Sequence, residues 1–164
     1  MDALINTNVE IIGQDEALLD RWNRSLELAV LMADDKKVPH GTRYDALRMT
    51  PLLPWEKSGA QLKRYLAKDQ NAELQQGAVS GLADANHPEA GRLLVEAFEG
   101  LTHSNKNFAL DALLRSPERI DLLLEAVAAQ KITRQDLGDV RSGKLFSLED
   151  RIRREKSRAL LTPP

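Results

Sequence analysis

ALDALLRSPERIDLLLEAV, residues 109–127, holds two apolar runs on either side of Ser116-Pro117. Ala109, Leu110, Leu113 and Leu114 precede the break, and Ile120, Leu123, Leu124 and Val127 follow it. Spacings of three and four place each set on one face of a helix. Serine followed by proline is the usual opening of a helix, because the hydroxyl caps free N–H groups and proline has no N–H to leave unpaired. The stretch therefore predicts two short helices joined by a tight hinge. None of its residues is an obvious catalyst, so its leucines need neighbouring helices to cover them.

Those neighbours are legible as a repeat. RYDALRMTPLL, LQQGAVSGLAD and KNFALDALLRS align on Ala46, Ala78 and Ala109, at intervals of 32 and 31 residues. Leu47, Val79 and Leu110 follow directly, and Thr50, Leu82 and Leu113 come three residues later. A four-residue apolar pair recurs in the companion helices as Leu62/Leu66, Leu94/Phe98 and Leu123/Val127. A single helix pair buries too little apolar surface to offset the entropy of ordering about 30 residues. Stacked pairs cover both faces of each helix, which is the logic of an α-solenoid. Gly77, Gly81 and Gly91 fit close helix contacts.

The chain has 164 residues, 42% of them hydrophobic but only 4% aromatic. Apolar content carried by leucine and alanine favours helices over strands. A net charge of −2 gives no global attraction to nucleic acid or anionic lipid. The absence of cysteine excludes disulfides, thiolate metal sites and cysteine nucleophiles in this sequence. No apolar run approaches the roughly 20 residues of a membrane-spanning helix. The first residues lack the makeup of a secretory signal, which leaves a cytoplasmic protein or a piece of a longer one.

Residues 1–13 read as an opening segment, and a long helical pattern runs from Gln14 to about Asp35 through Leu18, Leu19, Trp22, Leu26, Ala29, Val30 and Ala33. Further helices are expected at about 42–50, 56–68, 71–85, 88–101, 104–115 and 117–130. His87-Pro88 repeats the cap-and-proline signature of Ser116-Pro117, and Asp69 or Asn71 can cap the helix that follows. The tail reads as short turns and then a last helix over about 148–161, with Ser147 and Asp150 as a capping box and Ile152 marking its buried side. The organisation is thus residues 1–37 as N-terminal segment and long first helix, 38–131 as three helix pairs, and 132–164 as turn-rich segment and capping helix, in one folded unit.

Reactive side chains do not converge. His40, His87 and His103 each fall at a predicted helix boundary, without a second histidine or acid at metal-ligand spacing. Asp15/Glu16 and Asp34/Asp35 are sequence neighbours, which diverge on a helix. No G-x-S-x-G or phosphate-binding glycine loop is present. Trp22 and Trp55 read as core or interface fillers. The densest basic stretch, DRIRREKSR at 150–158, makes Arg151, Arg153, Arg154, Lys156 and Arg158 the candidate interaction surface. Its simplest reading is a solvated helix face with local ion pairs.

The stretches RYDALRMTPLLP, LQQGAVSGLADANHPEAGRLLVEAF, NFALDALLRSPERIDLLLEAVAAQKITRQDL and DRIRREKSRALL occur in order. Together they resemble the HEAT-like helical region of the large multidomain PVC-type haem-binding dehydrogenases, over about residues 25–161. The resemblance implies a helical module between a β-propeller and a cytochrome c-like domain in a larger exported electron-transfer protein of the periplasm or cell envelope. Haem in that family is attached through Cys-x-x-Cys-His, which this sequence does not contain, so no catalytic, cofactor-binding or metal-binding residue is assigned here.

The expected fold is all-α, a short right-handed α-solenoid of HEAT or armadillo-like pairs with a capping C-terminal helix. The expected function is a non-catalytic scaffold or interaction module whose partners are the flanking domains or another protein. The alternatives are a small enzyme or ligand-binding protein with a concave-face pocket, and nucleic-acid binding through the arginine-rich last helix.

Overall fold

A computed structural model describes residues 15–162, so the expected opening segment 1–13 lies outside the described residues. Among the described residues nine α-helices follow one another: α1 Glu16–Asp34, α2 His40–Met49, α3 Trp55–Tyr65, α4 Ala72–Asp84, α5 Pro88–Ala97, α6 His103–Leu113, α7 Pro117–Ala128, α8 Arg134–Phe146 and α9 Arg151–Leu161. Single 3-10 turns at Thr50–Leu52 and Phe98–Gly100 extend α2 and α5. The protein is all-helical, with no strand among the described residues. No described helix is long and apolar enough to cross a membrane.

Local chemistry sets most boundaries. Asp15 accepts from the N–H groups of Ala17 and Leu18, and Asn71 from those of Glu73 and Leu74. His87 Nδ1 accepts from the Glu89 N–H at 3.2 Å, and Ser116 from the Arg119 N–H, each just ahead of its proline. Pro39 and Pro54 stand immediately before α2 and α3, where no side chain caps.

The tail departs from the sequence reading. Residues expected to form turns make α8, opened by a capping box between Thr133 and Asp136. Gly138, at a φ of 66°, interrupts it with a kink that the left-handed region allows to glycine. Ser147 does not cap α9: its hydroxyl donates to the Gly143 carbonyl, and Asp150 is the cap. Ile152 is 78% exposed rather than buried, and α9 turns Ser157 and Leu161 inward. At the other end, Leu18 and Leu19 are exposed although they share the apolar pattern of α1, whose buried residues are Leu26, Ala29 and Ala33.

The helices pack in two interleaved series. α2 lies against α4 and α4 against α6, while α5 lies against α7 and α7 against α9. α1 covers α2, and α8 packs on α9. The aligned positions form the core: Ala46, Ala78, Ala109, Leu47, Val79, Leu110, Leu62, Leu94 and Leu123 are all buried. Thr50, the polar exception, is buried too and donates to the Leu47 carbonyl. Ser142 and Leu145 of α8 come 32 residues after Leu110 and Leu113, and Ser157 and Leu161 of α9 come 34 after Leu123 and Val127. All four are buried.

Contact between α2 and α4 depends on missing side chains. A Cβ at Gly77 would sit 3.1 Å from the Tyr44 carbonyl oxygen, and one at Gly81 would sit 2.8 Å from that of Leu47. Backbone cannot yield as a flexible side chain can. Gly143 in α8 has nothing within 4 Å of the equivalent position. Gly81→Ala should therefore lower unfolding free energy by about 1–3 kcal/mol, the usual cost of overpacking. Gly143→Ala should raise it by up to about 1 kcal/mol through helix propensity alone. Urea melts of the two variants check both signs.

Candidate functional site

The structure's most organised chemistry lies where one helix pair meets the next. At the end of α1, the Ala33 carbonyl accepts from Arg43 Nε at 2.8 Å and from the Tyr65 hydroxyl at 2.6 Å. Arg43 Nη2 donates in turn to the Tyr65 oxygen at 3.0 Å. Arg64 Nη2 lies 2.6 Å from both Asp34 oxygens, and Gln61 donates to the Val30 carbonyl at 2.8 Å. Burial pushes the Asp34 carboxyl up, but hydrogen bonds from Arg64, Tyr65 and Gln61 outweigh it and hold the group below its ordinary value. Burial raises the Tyr65 phenol.

The next junction is built on amides. Gln75 is fully buried and donates to the carbonyls of Leu66, Ala67 and Gly100. Its Oε1 accepts from the Thr102 N–H at 3.0 Å and Asn105 Nδ2 at 2.9 Å. Asn105 also donates to the Ala72 carbonyl, so the starts of α4 and α6 share one network.

Arg119 holds the third junction. Nη1 donates to the Ala83 carbonyl at 2.9 Å and Nη2 to those of Leu82 and Ala85 at 2.9 and 2.8 Å, with Ala112 within 3.4 Å of Nη1. One guanidinium thus satisfies carbonyls at the ends of both α4 and α6. Burial, with Arg115 close by, lowers its pKa from the ordinary value. Arg115 itself pairs with Asp84 at 2.7 Å.

Arginines of the last pair reach back in the same way. Arg141 of α8 makes a two-pronged contact with Asp111 of α6, at 2.7 and 3.0 Å, and also binds Asn107. Its hydrogen bond holds the Asp111 carboxyl below the ordinary range. Arg153 of α9 grips Asp121 of α7 at 2.9 and 2.6 Å.

The five basic residues singled out in the sequence divide accordingly. Arg153 is tied to Asp121 and Asp150. Arg154 donates to the carbonyls of Leu148 and Glu149, and Arg158 to that of Phe146. Arg151 pairs with Glu155 one turn on. Lys156 is exposed, with no ion-pair partner among the described residues.

The histidines do not meet. His87 caps α5 and stacks on Trp55, with centroids 4.4 Å apart and planes within 6°. His40 and His103 begin α2 and α6 and are exposed. No group of three His, Asp or Glu able to hold a metal occurs among the described residues.

The described surface includes shallow hollows. One, of about 330 Å³, lies between α3 and α5, floored by Leu66, Leu93 and Ala97 and rimmed by Lys63, Lys68 and Glu96. Another, of about 270 Å³, lies between α6 and α8, where Lys106 Nζ stands 4.9 Å from the centre of the Phe98 ring.

Arg43, Gln75, Asn105, Arg119 and Arg141 went unremarked in the sequence reading. A signal for the first three was present. Arg43 and Gln75 each come three residues before the shared alanine, and Asn105 four before Ala109, on the inward side of a helix. A polar side chain recurring there points to backbone that needs a partner. Comparison with family models, curated proteins and solved structures returns no match for this chain.

Arg119→Met keeps the apolar stem but leaves carbonyls at two helix ends without a donor, and should cost about 2–4 kcal/mol. Arg119→Lys, which cannot reach all four, should fall between that and the parent protein in the same urea melts. Asp111, with its lowered folded pKa, contributes stability that is fully present above the ordinary value of 3.8 and is lost as pH falls through the folded value. Arg141→Gln should return Asp111 to an ordinary titration, read by carboxyl NMR, and flatten that acid-limb loss.

Proposed function

We propose that the chain is a non-catalytic interaction or spacing module, a short right-handed solenoid of HEAT or armadillo type. The supporting observation is the succession of polar junctions. Arg64 to Asp34, Asn105 to Gln75, Arg115 to Asp84, Arg141 to Asp111 and Arg153 to Asp121 each join residues 30–32 positions apart. Such regular spacing is what translationally stacked pairs require. It also commits the arginines and carboxylates to architecture, including Arg153 in the basic helix.

Within this reading the module belongs to a larger exported haem-containing dehydrogenase, where it holds the flanking redox domains at a set separation. That part rests on the resemblance of the repeat stretches and of the closing arginine-rich helix. The natural reading frame should then encode a β-propeller before this region and a Cys-x-x-Cys-His segment after it. A frame lacking both overturns the dehydrogenase context. Small-angle scattering from the purified chain should give an elongated particle whose long axis follows the helix pairs; a profile that fits a sphere overturns the solenoid. Turnover of a substrate, abolished by one substitution that leaves the fold intact, would overturn the non-catalytic assignment.

A further inference from the structure

Five of the nine large apolar side chains exposed on the described surface belong to α1: Leu18, Leu19, Leu28, Leu31 and Met32. Leu28 is 59% exposed and Leu31 68%, on the side of the helix away from Leu26, Ala29 and Ala33. At about 100° per residue, positions 24, 28, 31 and 35 fall within an arc of about 60°. The outer stripe of α1 therefore reads Arg24, Leu28, Leu31 and ends on the cap residue Asp35, with a cation at one end, an anion at the other and leucines between. All four residues are exposed.

This order is self-complementary under a two-fold axis. When a second copy of α1 lies antiparallel, with the axis midway between positions 28 and 31, each residue meets the one whose number completes 59. Leu28 meets Leu31, and Arg24 meets Asp35, each contact made twice as an isologous interface demands. Glu27 is held off the stripe by its pairing with Lys57. Arg24 pairs with the exposed Asp20 one turn earlier and Asp35 accepts from the Lys37 N–H, so each rim contact adds a partner's charge to a local bond already present.

We propose that α1 is a homodimerisation surface, and that the protein associates through antiparallel α1 helices with Leu28 and Leu31 at the centre and Arg24–Asp35 pairs at the rim. This inference is independent of the dehydrogenase context, and nothing in it needs the helix pairs to form a solenoid. In this register only residues 24–35 of the two helices overlap, about 17 Å of contact, which lies below the usual size of stable interfaces. The expected dissociation constant is therefore high micromolar, about 50–500 μM.

Sedimentation equilibrium on the whole chain, from about 1 to 500 μM, should show a monomer–dimer transition across that range. Leu28→Glu with Leu31→Glu should raise the dissociation constant about tenfold or more. Both positions are exposed, and an unchanged circular dichroism melt confirms that the fold persists. Charge reversal reads the register. Arg24→Glu and Asp35→Arg should each weaken self-association, because like charges then meet across the axis. A mixture of the two variants should recover association as heterodimers. At one rim the introduced glutamate then faces the introduced arginine, and at the other the unchanged Arg24 of one chain faces the unchanged Asp35 of its partner. A monomer at every concentration, a dimer indifferent to Leu28 and Leu31, or a mixture that associates no better than its components overturns the proposal.

Discussion

Short helices have more ends than a fold can easily bury, and the carbonyls at those ends constrain this protein throughout. Apart from α1, the helices run only 10–13 residues, so the four unpaired carbonyls of each are a large share of its backbone. Several of these ends lie against neighbouring helices, where side chains supply partners for the carbonyls. Arg43, Gln75, Arg119 and Tyr65 supply the donors. Their reach fixes how far each pair can slide along its neighbour, because a guanidinium that must serve Leu82, Ala83 and Ala85 together tolerates little displacement.

The apolar contacts are graded along the chain. Between α2 and α4 the backbones approach through Gly77 and Gly81, with Ala46 and Ala78 beside them. Farther on, Leu110, Leu113, Leu123 and Leu124 are buried in the core. In the last pair Ser142 and Ser157 replace leucines, and the buried Ser142 hydroxyl has no hydrogen-bond partner among the described residues. Less apolar packing is available there, and the ion pairs of Arg141 and Arg153 lie at the same contacts. Most of the other ion pairs are exposed and add little individually.

What could be read from the sequence follows the range over which each signal acts. Caps and breaks are local, so Asn71, His87-Pro88 and Ser116-Pro117 mark real helix starts within a residue or two. The aligned alanines are legible because Ala46, Ala78 and Ala109 are all buried on the inward side of their helices. The inward faces of α8 and α9 are harder to read because serines, Ser142 and Ser157, occupy buried positions there. Ile152 misleads in the opposite sense, as an apolar residue that faces solvent. The junctions are hidden for a different reason. An arginine and an aspartate some 30 residues apart look like two solvated charges until the intervening helices bring them together. The same applies to the basic stretch 150–158, where Arg153 and Lys156 look alike in sequence but differ in what they touch.

The hydrogen bonds between pairs have a kinetic corollary. These side-chain links span from 8 to 37 residues. Closing a loop of that length costs little more entropy than closing one half as long. Most contacts between the described residues join positions fewer than 12 apart, a low contact order that favours fast folding. Ordered structure can spread from any one hairpin to its neighbours without waiting for a distant partner to arrive.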